Sequence, residues 1–155
     1  LAARHPQLVS GLVLHGVPLY NADERSERAA RPMAAITLRA DGRHFTDTFT
    51  AIGRYAELDE RTLGSATWAT LGAFLALAPS PVYRAVFAHD LEPELRAIKV
   101  PTLLLSDAAD VLHVNTQRAA KQRPDFEYRE FSAGGSFALL REPRRWAEEI
   151  GRAHV

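Results

Sequence analysis

Cysteine is absent from the 155-residue chain. That removes disulfides, thiol nucleophiles and thiolate metal sites together, and it fits a reducing compartment such as the cytoplasm. Net charge is absent too. Nineteen basic residues offset nineteen acidic ones, and no block of one sign points to nucleic acid or an anionic membrane. No apolar run approaches the roughly 20 residues that a membrane helix needs. The N-terminus lacks the charged leader and apolar stretch of a signal peptide. No two histidines stand at metal-ligand spacing, and there is no internal repeat or low-complexity segment. The reading therefore carries no cofactor, no metal, no nucleic acid and no membrane among its partners. What is present, 46% hydrophobic and 25% charged residues, suits one water-soluble core and is too short for two.

Strand signals sit at the two ends of the chain. Leu8 to Val17 is the first strand candidate, opened by Gly11 and closed by Gly16-Val-Pro18. From Tyr20 to about Ala97 the strand signal vanishes. Asn21 can cap a helix whose first turn is acidic, and Pro32 interrupts it. Asp41-Gly42 reads as a turn. Phe45, Phe49, Ile52 and Tyr55 recur at helical spacing. Asp59 can cap the next helix, through Leu63, Trp68, Leu71 and Leu75, which Pro79-Ser-Pro81 ends. Val82, Ala85, Val86 and His89 give another short helical face.

The stretch Lys99 to Asp110 says most about chemistry. Pro101 can start a strand but cannot sit in its middle, because it has no N–H to give the ladder. Thr102 to Leu105 shows no polar alternation, as expected where a parallel sheet is covered on both faces. Small and acidic residues follow, at the end of the strand where such sheets hold their ligands. Thr116 to Lys121 then reads as a helix and Pro124-Asp125 as a turn. Phe126 to Phe131 alternates aromatic and charged residues, which suits an outer strand. After the Gly134-Gly135 loop, Pro143 to Ile150 is an amphipathic helix burying Trp146 and Ile150. The order is strand, helical insertion, strand, helix, strand, helix. It predicts an α/β fold of three parallel strands, with residues 1–19 and 97–155 in the sheet and 20–96 as an inserted helical cap.

Several segments together resemble the C-terminal half of an α/β-hydrolase with a helical lid. Ala2-Ala-Arg-His-Pro6 with Leu8-Val9 and its strand resembles the segment that follows the family's nucleophile helix. Ile98-Lys-Val-Pro-Thr-Leu-Leu-Leu105 resembles the return from the lid, and Asp110 occupies the triad acid position. Ala133-Gly-Gly-Ser-Phe137 with Arg141-Glu-Pro143 resembles the histidine loop, but Ser136 stands where the histidine is expected. The resemblance places the Gly-x-Ser-x-Gly nucleophile elbow before Leu1. Leu1 to Pro6 reads as the last turn of a helix, so the chain is expected to be part of something longer. The implied reaction is hydrolysis of an ester, amide, epoxide or carbon–halogen bond in a small molecule. The alternative is a degenerate member that binds a ligand or protein partner without turnover. In either case the Leu12–Leu14 edge is expected to pair with the missing N-terminal half or with a second copy.

Each candidate residue has a competing structural role. Asp110 is the acid that orients a base, or a turn and cap residue; Asp107 reads as a turn residue. Ser136 is a neutral loop residue in a chain that has lost catalysis, or belongs to an enzyme whose base comes from elsewhere. A third role, nucleophile, suits Gly134-Gly-Ser-Phe-Ala138 poorly, because an elbow leads from a strand into a helix. A serine hydroxyl cannot exchange a proton near pH 7 as imidazole does. His113, three residues after Asp110, is the substitute base, or a solvated loop histidine. His15 reads as a packed, hydrogen-bonded core residue. The aromatics between Phe45 and Phe87 read as lid core or pocket lining, and Arg141 to Arg145 as a solvated face.

Overall fold

The computed structural model describes residues 1–31, 36–54, 58–75, 81–132 and 138–152. In chain order the elements are β1 (Leu12–His15), α1 (Ala22–Ala30), α2 (Arg43–Gly53), α3 (Leu63–Leu75), α4 (Pro81–Ala88), α5 (Glu92–Ala97), β2 (Thr102–Asp107), α6 (His113–Gln122), β3 (Glu127–Phe131), α7 (Ala138–Arg141) and α8 (Pro143–Arg152). Two compact units result. Leu1–Tyr20 and Asp90–Val155 form one, and Asn21–His89 the other.

The first unit holds a three-stranded parallel sheet in the order β1-β2-β3. Leu12 pairs with Thr102 and His15 with Leu105; Leu103 pairs with Glu127 and Asp107 with Phe131. β2 lies in the middle and every one of its residues is buried, which is why its sequence shows no polar alternation. Successive side chains leave opposite faces. Leu104 joins Leu95, Ile98, Ala119 and Phe126 on one side, while Leu103 and Leu105 join Phe131, Ala138 and Trp146 on the other. The Trp146 ring stacks on Phe131 at 5.1 Å.

Backbone chemistry sets where the elements stop. β1 is shorter than the expected strand over 8–17, because Pro6–Leu8 forms a 3-10 turn and Gly16 takes φ +62°, a left-handed conformation that ends the ladder. The segment beyond it is gripped by α6. Thr116 Oγ1 accepts from Val17 N at 3.0 Å, and Asn115 Nδ2 donates to Leu19 O at 3.1 Å. Two short helices, α5 and α7, lie where no helical period was legible. α6 begins at His113, three residues before its expected start. Arg123 closes this layer, donating to the carbonyls of Leu95 and Ile98 and to Asp125, with its guanidinium 3.9 Å from the Phe126 ring centre. That bond holds the Asp125 carboxyl below the usual range.

In the second unit, Asn21 caps α1 as expected. Its Oδ1 accepts from Glu24 N, and Glu24 Oε2 accepts from Asn21 N, both at 2.8 Å. Asp59 takes the N–H groups of Arg61 and Thr62 ahead of α3. α2 packs on α3, and α1 on α4. His44, Phe45 and Phe74 form one aromatic cluster, with Phe45 and Phe74 4.5 Å apart. The expectation that the aromatics serve mainly as core fails for Trp68, which is 75% exposed with Leu75 at 84% on the same helix. Pro32, Tyr55 and Pro79-Ser80 lie outside the described residues.

Candidate functional site

Parallel pairing sends β1, β2 and β3 out at one edge of the sheet, so the loops after β1 and β2 share that edge. The loop after β2 carries Asp110 and is held by its own chain. Asp107 Oδ1 accepts from Ala109 N at 2.8 Å, and Asp110 N donates to Asp107 O at 3.0 Å. Asp110 Oδ1 in turn accepts from Leu112 N at 2.6 Å, and its carbonyl accepts from His113 N at 3.0 Å. One carboxylate oxygen therefore takes the N–H of Leu112, the residue just ahead of α6, which fixes the side chain. Gly16 lies against this loop. A Cβ there would stand 3.5 Å from a Leu112 methyl and 4.0 Å from Asp110 Oδ1, so the end of β1 and the carboxylate loop are neighbours.

The two histidines of this edge have different surroundings. His113 Nδ1 is 3.1 Å from Ser106 Oγ and 3.8 Å from Glu130 Oε2. Glu130 also accepts from the Tyr128 hydroxyl, and from Gln117 Nε2 at 3.5 Å. Burial, and then the bond to Glu130, raise the Tyr128 hydroxyl above its usual range. Ser106, Tyr128, Glu130 and His113 thus form one network between β2, β3 and α6.

His15 ends β1 and sets its ring edge-on to Trp146 at 4.7 Å. It was expected to be hydrogen-bonded. Instead its Nε2 is buried with no hydrogen-bond partner among the described residues, as is Trp146 Nε1. Burial pushes the His15 imidazole below its ordinary range, and the negative charges of Asp110 and then Asp107 pull it partly back. Asp107, read from sequence as a turn residue, is the last residue of β2 and fully buried. Ser136 and the rest of 133–137 lie outside the described residues.

Sequence reasoning singled out Asp110 through its position after a buried strand. It missed the roles of Asp107, Ser106 and Glu130, whose neighbours come from pairing register. The available signal was an acid, Asp107, closing an otherwise apolar strand. Among the described residues, no group of three or more histidine and acidic side chains could hold a metal ion, and no helix is long and apolar enough to cross a membrane. A cavity of about 540 Å³ opens beside β1, lined largely by apolar groups that include Leu12, Leu14, Leu95 and Ile98, with His15 and Glu94 among the others.

No protein-family model and no curated protein matches the chain. Solved structures do. An enol-lactonase from Burkholderia xenovorans LB400 superposes with TM-score 0.67 at 20% identity, over 99% of this chain and 59% of that one. The fold is that of a partial α/β-hydrolase. MenH from S. aureus matches with TM-score 0.64 at 20% identity, over 94% of this chain and 58% of its own. A thermophilic esterase from Thermogutta terrifontis, with malate bound, matches with TM-score 0.56 at 19% identity, over 99% and 60%. The chain spans less than two thirds of each of these hydrolase-fold proteins.

Proposed function

We propose that this chain is the C-terminal portion of a cytoplasmic α/β-hydrolase-like protein that cleaves a small-molecule ester, amide, epoxide or carbon–halogen bond. Residues 21–89 would form the cap that selects the substrate. The observation that carries the reading is Asp110, fixed by Leu112 N at 2.6 Å in the loop after the central parallel strand. A carboxylate held at the carboxyl end of a parallel sheet can orient and charge-stabilise an imidazole during acyl transfer. The similarity of fold to an enol-lactonase and an esterase supports the same reaction class. In this reading the nucleophile and the oxyanion donors come from outside the chain. The outer edge of β1, which has no strand partner among the described residues, takes up the missing N-terminal half of the sheet.

The test uses the full-length protein with a panel of p-nitrophenyl esters, epoxides and haloalkanes. Turnover that Asp110→Asn lowers by about 10⁴-fold without unfolding the protein is the expected result. Unchanged turnover in that variant would remove Asp110 from the chemistry. The second reading, a non-catalytic binding protein, draws on Ser136 at the position the family resemblance gives to histidine. It predicts saturable ligand binding with no turnover of any panel member.

A further inference from the structure

We propose that Ser106, His113 and Glu130 are positioning residues for Asp110. They tie the head of α6 to the sheet, and the head of α6 fixes the carboxylate, so that His113 serves the site as a strut and not as its base. The catalytic consequence rests on the hydrolase reading; the link from His113 to Asp110 does not.

Asp110 is held by two consecutive backbone donors. Leu112 N reaches its Oδ1 at 2.6 Å, and His113 N reaches its carbonyl at 3.0 Å. His113 is the first residue of α6, so the carboxylate goes where the helix starts. Packing adds little to this hold, because Val111 and Val114 are both mostly exposed. Hydrogen bonds carry most of it.

The head of α6 is set in turn by a cross-strand pair. Ser106 on β2 and Glu130 on β3 are register partners, so their side chains leave the same face of the sheet. Leu104, two residues before Ser106, packs with Ala119 of α6, which makes this the face that α6 covers. His113 lies against the pair, with Nδ1 3.1 Å from Ser106 Oγ and 3.8 Å from Glu130 Oε2. Four residues on, along the same face of the helix, Gln117 Nε2 donates to Glu130 Oε2 at 3.5 Å, and the Tyr128 hydroxyl donates to the same oxygen. The helix is pinned to the sheet at two points one turn apart. Ser106 is buried, so little solvent can replace the imidazole there. A catalytic carboxylate displaced by about 1 Å can cost about 10²-fold in rate, which is the scale on which such a strut acts.

The experiment uses the full-length protein and two substitutions at one position. His113→Phe keeps a ring and loses the nitrogen. His113→Asn loses the ring, and its amide group stands about where Nδ1 stands. In the ester assay His113→Phe should lower kcat by about 10- to 100-fold at nearly constant KM, and His113→Asn should restore most of it. Exchange of the Leu112 amide, followed by NMR, should quicken in His113→Phe and slow again in His113→Asn. Glu130→Gln, on the exposed strand, should shift kcat in the same direction by about two- to tenfold, and it carries the test if His113→Phe does not fold. An amide cannot exchange a proton near pH 7, so a kcat that both His113 variants lower alike, by about 10²–10⁴-fold, with Leu112 exchange unchanged, makes His113 a base and overturns the proposal. Unchanged kcat and unchanged Leu112 exchange in His113→Phe overturn it as well. A protein that turns over nothing, yet shows the nitrogen-dependent change at Leu112, retains the link and refutes the hydrolase reading.

Discussion

The half-buried His15 imidazole gives a pH dependence whose sign follows from its surroundings. In the folded chain, burial lowers the His15 imidazole, and Asp110 and Asp107 offset only part of that. In the unfolded chain the same group takes its proton near about pH 6.5. Between the two values the unfolded state binds more protons, so stability rises with pH across that window. The contribution of neutral His15 is complete above the ordinary imidazole range and is lost as pH falls through it toward the folded value. Urea unfolding midpoints should therefore drop between about pH 7.5 and about pH 5, and His15→Gln should flatten the dependence. An equal slope in His15→Gln would assign it to other groups. None of this was legible from position 15 in the sequence. A histidine ending an apolar strand reads as core, and only the packing shows a ring nitrogen left without a partner among the described residues.

At the scale of elements, the segment from Ser106 to His113 is a closed loop whose base is a side-chain bond. Ser106 Oγ meets His113 Nδ1 at 3.1 Å, and the span between them is crossed by the backbone bonds around Asp107 and Asp110. His113→Ala removes that closure and should cost about 0.5–1.5 kcal/mol, the usual net value of one hydrogen bond. Hydrogen exchange is the measurement. The amides of Ala109 and Leu112 should exchange faster, while those of Leu103 to Leu105 keep their protection. Uniform acceleration would mean that His113 supports the whole sheet instead. β2 was legible because a strand covered on both faces loses polar alternation. β3 was legible for a partly misleading reason. Phe126 and Tyr128 keep the period of two, but Phe131 falls on the opposite face and joins Trp146. α5 and α7 escaped notice because elements of about one turn are too short to show a period.

For the molecule as a whole, the exposed side of β1 is the feature that most affects behaviour in solution. Among the described residues β1 is an edge strand, only half-buried, and the cavity beside it is lined mostly by apolar groups. Unpaired ladder groups next to apolar surface recruit another strand. The 155-residue chain by itself is expected to sediment as a dimer or larger species at tens of micromolar. A monomeric chain with protected amides at Leu12 to Leu14 would show that the edge is covered in some other way. The overall order of strands and longer helices was legible because those elements announce themselves locally. The neighbours of His15 and Leu105 were not, because they depend on register between segments far apart in the chain.

That distance along the chain also bears on the order of assembly. Leu105 has one partner, Arg129, close by in sequence, and another, His15, roughly ninety residues away. Joining the distant partner closes a longer loop, at an extra entropic cost of about 1 kcal/mol relative to the nearer one. The β2–α6–β3 segment can thus form early, with β1 arriving late on the far side of β2 from β3. His15 reaches its resting place only in that last step, so the imidazole is desolvated after most of the sheet around it already exists.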